Sequence, residues 1–402
     1  MRVLIADKLP DEARSRLQGA GFEVVVDAGL GGEALARALA EHAPDVVIVR
    51  STKLTADHFA AAPSVQLVVR AGAGVNTIDI TAASARGVFV ANCPGMNAVA
   101  VAELTLGHLL NADRRIADNV ADLRAGRWQK KVYSKARGLK GRTLGVIGCG
   151  DIGKAVIARA RAFDMKVVAW SPSLDDAKAA KLKVERAASL EDVAGRADAV
   201  SVHVALNPAT RGLIGRAFFD AMRPGAIFLN TSRGEVVDED ALAAAVRDKG
   251  IRAGLDVFCD EPAGDGEWAS PLAALEGVYG THHIGASTDE AQNAVAFEAC
   301  RVVETWAATG TAPNTVNLAK RTQATHLLVA RHADRVGVLA GILDQLREAR
   351  INVQTMENVI FAGPGAAACA RIQVGSRPDD ALLARLTEDD AVYDVKVVAL
   401  PG

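Results

Sequence analysis

The stretch that most constrains this chain is Thr143 to Trp170, where an apolar run, TLGVI, leads into Gly148, Gly150 and Gly153 at GxGxxG spacing. A helical pattern, IGKAVIARARAF, and a second apolar run follow. Glycines so placed allow a tight turn, close approach of backbone to a pyrophosphate, and tight packing of helix on strand. The amides that open the helix at Asp151 and Ile152 then face the anion. Three glycines alone also describe a flexible loop. The strand before them and the helix after them make this a dinucleotide-binding unit, and the rest of the chain must pack around or beside an α/β layer.

At 402 residues, half of them hydrophobic, the chain has room for two or three domains with separate cores. Its 46 Lys and Arg nearly balance 48 Asp and Glu, a net charge of −2, so there is no general basic field for nucleic acid and any anion site is local. The five cysteines (Cys93, Cys149, Cys259, Cys300, Cys369) are scattered and never form a CxxC pair. Neither a metal site nor a disulfide framework is expected, and a reducing cytoplasm fits best. The N-terminus opens on strand-like RVLIA without a leader, and no apolar run reaches the roughly 18 residues of a membrane span, so a soluble, unprocessed protein with no membrane partner is expected.

From Val3 to Ala91, strand patterns (VLIA, FEVVV, DVVIVR, QLVVR, VFVAN) alternate with helical ones, which predicts a parallel, doubly wound sheet. Ligands of such sheets bind beyond the carboxyl ends of the strands. One such end carries Arg50, Ser51, Thr52 and Lys53; another is a glycine turn, Arg70, Ala71, Gly72, Ala73, Gly74, Val75, Asn76, whose amides can hold a carboxylate. Asn92 to Arg127 reads as a Pro-Gly turn followed by one long helix crossing between domains. A basic segment with Trp128, Lys130, Lys131, Tyr133 and Lys135 comes next, which by itself reads as a solvated face.

Beyond the dinucleotide unit, three strand ends carry chemistry. GAIFLN runs into Thr231, Ser232 and Arg233; GLDVF into Asp260 and Glu261; VYG into Thr281, His282 and His283. Arginine offers a planar fork to a carboxylate and polarises a neighbouring carbonyl oxygen. Histidine exchanges a proton near neutrality, and a nearby carboxylate orients it. Thr288 to Thr309 then reads as an amphipathic helix and Gly310 to Thr322 as a linker. The remainder reads βαββαβ, with a Gly-Pro hairpin, and carries no catalytic constellation.

Together GCGDIG, NTSRGEVVDEDAL, GLDVFCDEP, HHIGAST, the NCPGMN and VAELT segment, and the tail RHADRVGVL with INV resemble the D-isomer-specific 2-hydroxyacid dehydrogenases over nearly the whole chain, most closely their D-3-phosphoglycerate-oxidising branch with a C-terminal ACT-like domain. The resemblance implies two Rossmann-like domains plus a ferredoxin-like one: residues 1–95 and 287–316 for substrate, 96–286 for the dinucleotide, and 323–402 for regulation or assembly. It implies Arg233, Glu261 and His283 as catalytic residues. Gly148, Gly150, Asp151, Ile152, Gly153, Ser171, Val204, Thr231, Ser232, Asp256, Gly285 and Ala286 would line the nicotinamide cofactor. Arg50, Lys53, Arg70, Gly72, Ala73, Gly74, Asn97, Lys130 and Lys131 would face the substrate, the extra cations suiting a phosphate. In the tail, Asp334 and Asn352 match positions that contact an amino-acid effector such as L-serine.

The sequence also departs from the family. Ser171 stands where an acidic residue usually holds the ribose hydroxyls, which removes a repulsion against a 2′-phosphate. Asp175 and Asp176 follow without an arginine, so NAD is expected, with NADP as the alternative. Ala73 and Asn76 replace a usual Thr and Asp, His282 a usual Pro, and Asp334 a usual Asn. The expected activity is reversible oxidation of D-3-phosphoglycerate to 3-phosphooxypyruvate, as in serine biosynthesis. An NADPH-dependent glyoxylate or hydroxypyruvate reductase and an NADH-sensing corepressor are the alternatives. The resemblance also implies a homodimer or homotetramer, with the helix around Val101 to Leu110 near the contact.

Overall fold

In the computed structural model, which describes all residues except 263, 320, 364 and 402, the chain divides into two compact units, Met1–Asn317 and Leu318–Gly402. Pro364 of the expected Gly-Pro hairpin lies outside the described residues, as does Lys320 of the linker. The first unit contains two parallel sheets. One has five strands, β1 (Arg2–Ile5), β2 (Glu23–Val26), β3 (Val46–Val49), β4 (Leu67–Arg70) and β5 (Phe89–Asn92), in the order β2-β1-β3-β4-β5. The other has seven, β6 (Thr143–Ile147), β7 (Lys166–Trp170), β8 (Glu185–Arg186), β9 (Ala199–Val202), β10 (Ile227–Asn230), β11 (Arg252–Leu255) and β12 (Val278–Gly280), in the order β12-β11-β10-β9-β6-β7-β8.

The central strands are largely apolar because helices cover both faces: Val46 to Val49 and Ile227 to Asn230 are buried at every position. The order of the larger sheet reverses beside β6, so the crevice between the ends of β6 and β9 is its topological switch point. Two long helices join the sheets. Ala98–Arg114 packs Ala102, Leu106, Leu109 and Ala112 into the core beneath β6 and β7, whereas Asp289–Thr309 returns to bury Val295, Ala299 and Val303 against β1, β3 and β4.

The single long helix expected after Asn92 is two. Arg115 adopts a left-handed φ of +54° between Ala98–Arg114 and Ile116–Arg124. Asn111 Oδ1 caps the second helix by accepting from the Ala117 amide at 2.8 Å, and Arg115 is held by Asp118 at 2.8 Å. Local polar side chains thus offer the backbone an alternative to continuing the helix.

The second unit is a four-stranded antiparallel sheet, β13 (His326–Ala333), β14 (Val353–Ile360), β15 (Ala367–Val374) and β16 (Val392–Ala399), in the order β14-β15-β13-β16. The helices Val338–Glu348 and Asp380–Leu386 bury Ile342, Leu346, Leu382 and Leu386 against Leu328, Ala330 and Ile372. This is the βαββαβ arrangement expected from the tail's alternating patterns.

Candidate active site

A cleft of about 570 Å³ runs between the carboxyl ends of the two parallel sheets. On the dinucleotide side its floor is the glycine turn. Gly148 has φ +93°, and a Cβ there would lie 2.4 Å from the His203 carbonyl oxygen; one at Gly153 would lie 2.0 Å from the Gly148 carbonyl oxygen. No other residue fits either position. Gly150 precedes the helix Asp151–Ala162 without a side-chain cap, so the amides at Asp151 and Ile152 open on the cleft. Thr231, Ser232, Asp256, Val204, Gly285 and Ala286 line the same space. The turn and the uncapped helix therefore fit a dinucleotide pyrophosphate. Ser171 sits at the exit of β7, outside the lining of this cleft.

The three chemical strand ends meet here. His283 Nδ1 lies 2.7 Å from Glu261 Oε2, and Glu261 Oε1 accepts from the Phe258 amide at 2.7 Å. Burial raises the Glu261 pKa, but the bonds from His283 and Phe258 and the charge of Arg233 outweigh it and hold the carboxyl below its ordinary range. His283 lines the cleft, and with Nδ1 engaged its Nε2 is the nitrogen left for a ligand. Its backbone is left-handed, φ +53°. Asp256, 1% exposed, secures that turn by accepting from Thr281 Oγ1 (2.6 Å), the Ile284 amide (2.9 Å) and the Gly285 amide (2.8 Å).

Arg233 reaches across the cleft: a Cβ at Gly74 would fall 2.8 Å from its Nη2. A Cβ at Gly72 would fall 1.5 Å from Arg70 Nη1, so the Arg70 guanidinium lies directly against the backbone of the glycine turn. Burial lowers the Arg233 pKa. Arg70 is pushed down to about 10, first by burial and then by the charges of Arg233 and Arg50. Its buried Nε has no hydrogen-bond partner among the described residues. The glycine turn thus faces an excess of positive charge, which an anion would relieve. Arg50 is ordered through Gln292 (3.2 Å) and by Asp7, whose Oδ2 accepts from the amides of Arg50, Ser51 and Thr52 at 2.6 to 3.2 Å. Asn97 and Ala73 line the cleft, whereas Arg50 and Lys53, which follow β3 in one loop, lie outside its lining.

Lys130 and Lys131 do not join this group. They are exposed on a short helix, Lys130–Tyr133, that Asp122 ties to its own neighbourhood by accepting from Tyr133 Oη (2.6 Å), Gln129 Nε2 (2.9 Å) and Arg127 Nε (2.9 Å). Neither lysine lines the cleft. Within this chain the basic segment is a solvated face, because Asp122 anchors it away from the strand ends.

Residues 106–285 match the NAD binding domain of the D-isomer specific 2-hydroxyacid dehydrogenases. Hydroxypyruvate reductase of Thermotoga maritima is 40% identical over 74% of this chain and 95% of that protein. The chain belongs to the D-isomer-specific 2-hydroxyacid dehydrogenase family. D-3-phosphoglycerate dehydrogenase of Methanocaldococcus jannaschii is 41% identical over 73% of this chain, and the chain spans 55% of that relative's length. The NAD⁺-bound 3-phosphoglycerate dehydrogenase of Entamoeba histolytica superposes with a TM-score of 0.67 at 27% identity, over 79% of this chain and 99% of that one.

Several residues in or behind the cleft escaped sequence reasoning. His203, at the exit of β9, bonds Ser201 Oγ at 2.8 Å through Nε2; burial pushes its pKa down to about 3, and its buried Nδ1 has no partner among the described residues. The rule about strand ends would have found it. Asp7 follows β1 in the same way. Thr105 and His108, on the crossing helix, bond the Thr231 and Thr281 hydroxyls at 2.9 and 3.0 Å, and in sequence they look like ordinary helix residues.

Proposed function

We propose that this chain oxidises D-3-phosphoglycerate reversibly to 3-phosphooxypyruvate with NAD. The observation that carries this reading is the presence of Arg70 and Arg233 in one cleft, with Arg50 near enough that its charge, after burial and the charge of Arg233, helps to lower the Arg70 pKa to about 10. A carboxylate alone is matched by one arginine fork. A substrate with a phosphate at its other end matches the excess.

The bound nicotinamide would supply the acceptor for hydrogen leaving C2. The pyrophosphate would rest on Gly148 to Gly153, with Thr231, Ser232 and Asp256 bordering the reacting end. Arg233 holds the substrate carboxylate and polarises the oxygen at C2. His283 takes the C2 hydroxyl proton at Nε2. Glu261, below its ordinary pKa, stays ionised and stabilises the imidazolium that forms. Arg50 and Lys53 receive the phosphate. Purified protein supplied with NAD and D-3-phosphoglycerate should form NADH; no turnover with either NAD or NADP counts against the reading.

A second reading, an NADPH-dependent hydroxypyruvate or glyoxylate reductase, draws on Ser171 and on the near-complete match to the T. maritima hydroxypyruvate reductase. It predicts that unphosphorylated 2-oxoacids are reduced in preference. For the C-terminal unit, the proposal is assembly into dimers or tetramers. Asp334 and Asn352 are exposed there and offer L-serine a contact, so heat on titration with L-serine would add binding to assembly, and its absence leaves assembly alone. No described helix is long and apolar enough to cross a membrane, and the five cysteines are free, which supports work in the reducing cytoplasm.

A further inference from the structure

Helix Ala98–Arg114 carries Thr105 and His108 three residues apart, on one face. Both are buried, and each reaches the exit of a strand that delivers an active-site residue. His108 is 4% exposed and fits because β11 presents Gly254, where a Cβ would fall 2.7 Å from His108 Cβ. A buried imidazole is costly unless it is hydrogen-bonded, so its partner carries meaning.

The bonding has a direction. Thr281 has one hydroxyl proton, and its Oγ1 lies 2.6 Å from Asp256 Oδ1, which can only accept. Thr281 must therefore accept from His108 Nε2 at 3.0 Å, which fixes the imidazole proton on that nitrogen. Burial, the larger influence, lowers the His108 pKa against the charge of Asp256 and keeps the ring neutral. Asp256 then binds the Ile284 and Gly285 amides with its side chain, and its carbonyl accepts from the His283 amide at 2.9 Å. His283 needs such support, because a left-handed conformation is unfavourable for a residue with a Cβ.

We propose that His108 is a positioning residue: by donating from Nε2 it fixes the Thr281 hydroxyl, which keeps Asp256 on the turn that aims His283 at Glu261. The proposal rests on the family reading of His283 as the acid–base group, but the hydrogen-bond chain can be tested without turnover.

His108→Gln keeps an N–H donor near the Nε2 position, whereas His108→Leu fills the volume without one. Amide hydrogen exchange of the full chain, read by mass spectrometry over residues 281–287, is expected to be about tenfold faster in H108L and close to wild type in H108Q, the scale of one lost buried hydrogen bond. With whichever hydroxyacid the wild type oxidises, kcat should fall about tenfold in H108L with KM nearly unchanged, and recover in H108Q. Thr281→Val cuts the same chain at its middle and should reproduce the fast exchange even if H108L does not fold. Wild-type exchange in T281V or in H108L, or equal impairment of H108L and H108Q, would overturn the proposal. A wild type that oxidises no hydroxyacid would overturn the dehydrogenase reading instead, leaving the exchange result to decide the role of His108.

Discussion

His283 Nδ1 and Glu261 Oε2 stand 2.7 Å apart, and that contact leaves Nε2 as the imidazole nitrogen free for a ligand. Glu261→Gln keeps the shape and one hydrogen bond but removes the charge that stabilises the imidazolium. Its kcat is expected to fall about 100-fold, the lower end of what a positioned acid–base group contributes, with a smaller change in KM. Steady-state kinetics checks this; a kcat within about threefold of wild type contradicts it.

His203 gives a pH dependence of stability. Its folded pKa, about 3, lies below the ordinary value of 6.5, so between these values the unfolded chain binds the extra proton. Stability is intact above about pH 6.5 and is lost as pH falls toward 3. Between neutral pH and pH 5 the loss from this one group is about 2 kcal/mol. His203→Gln keeps a hydrogen-bonding group toward Ser201 without titrating, so its chemical-denaturation midpoint should drop less over that range. Parallel curves for the two proteins would remove His203 as the cause.

Gly153→Ala tests the glycine turn. The new methyl would stand 2.0 Å from the Gly148 carbonyl oxygen, a backbone atom that cannot step aside as a side chain can. The variant should lose about 1–3 kcal/mol of stability or more and bind NADH at least tenfold more weakly. Thermal melts and NADH fluorescence titration measure the two effects. Near wild-type NADH affinity would mean that the turn does not carry the cofactor.

These sites were unequally legible in the sequence. The strand–GxGxxG–helix unit and the strand exits at Arg233, Glu261 and His283 follow from local pattern, because a parallel sheet brings all its carboxyl ends to one edge. The location of Lys130 and Lys131 does not follow. Their segment lacks periodicity, and its course is set by Asp122, whose bonds to Arg127, Gln129 and Tyr133 have no sequence signature. The break at Arg115 depends on Asn111 capping Ala117, a choice between near-equal local conformations. His108 shares a largely apolar helix face with Thr105 and gains meaning only when Thr281 is seen beside it.

Under the proposed function, Arg50 and Lys53 separate the phosphorylated substrate from its unphosphorylated counterparts. Replacing both by Ala should raise KM for D-3-phosphoglycerate at least tenfold, a charge-assisted contact being worth about 1.5–3 kcal/mol, and leave KM for hydroxypyruvate nearly unchanged. Equal losses on both substrates would place these cations in the scaffold and not at the phosphate.

The most direct measurement compares kcat/KM for D-3-phosphoglycerate and D-glycerate with NAD in one preparation. The arginine cluster at the glycine turn predicts a preference for the phosphorylated acid of about 100-fold or more, the equivalent of roughly two charge-assisted contacts. Equal values, or turnover of the unphosphorylated acid alone, would contradict the assignment of this cleft to a phosphorylated 2-hydroxyacid.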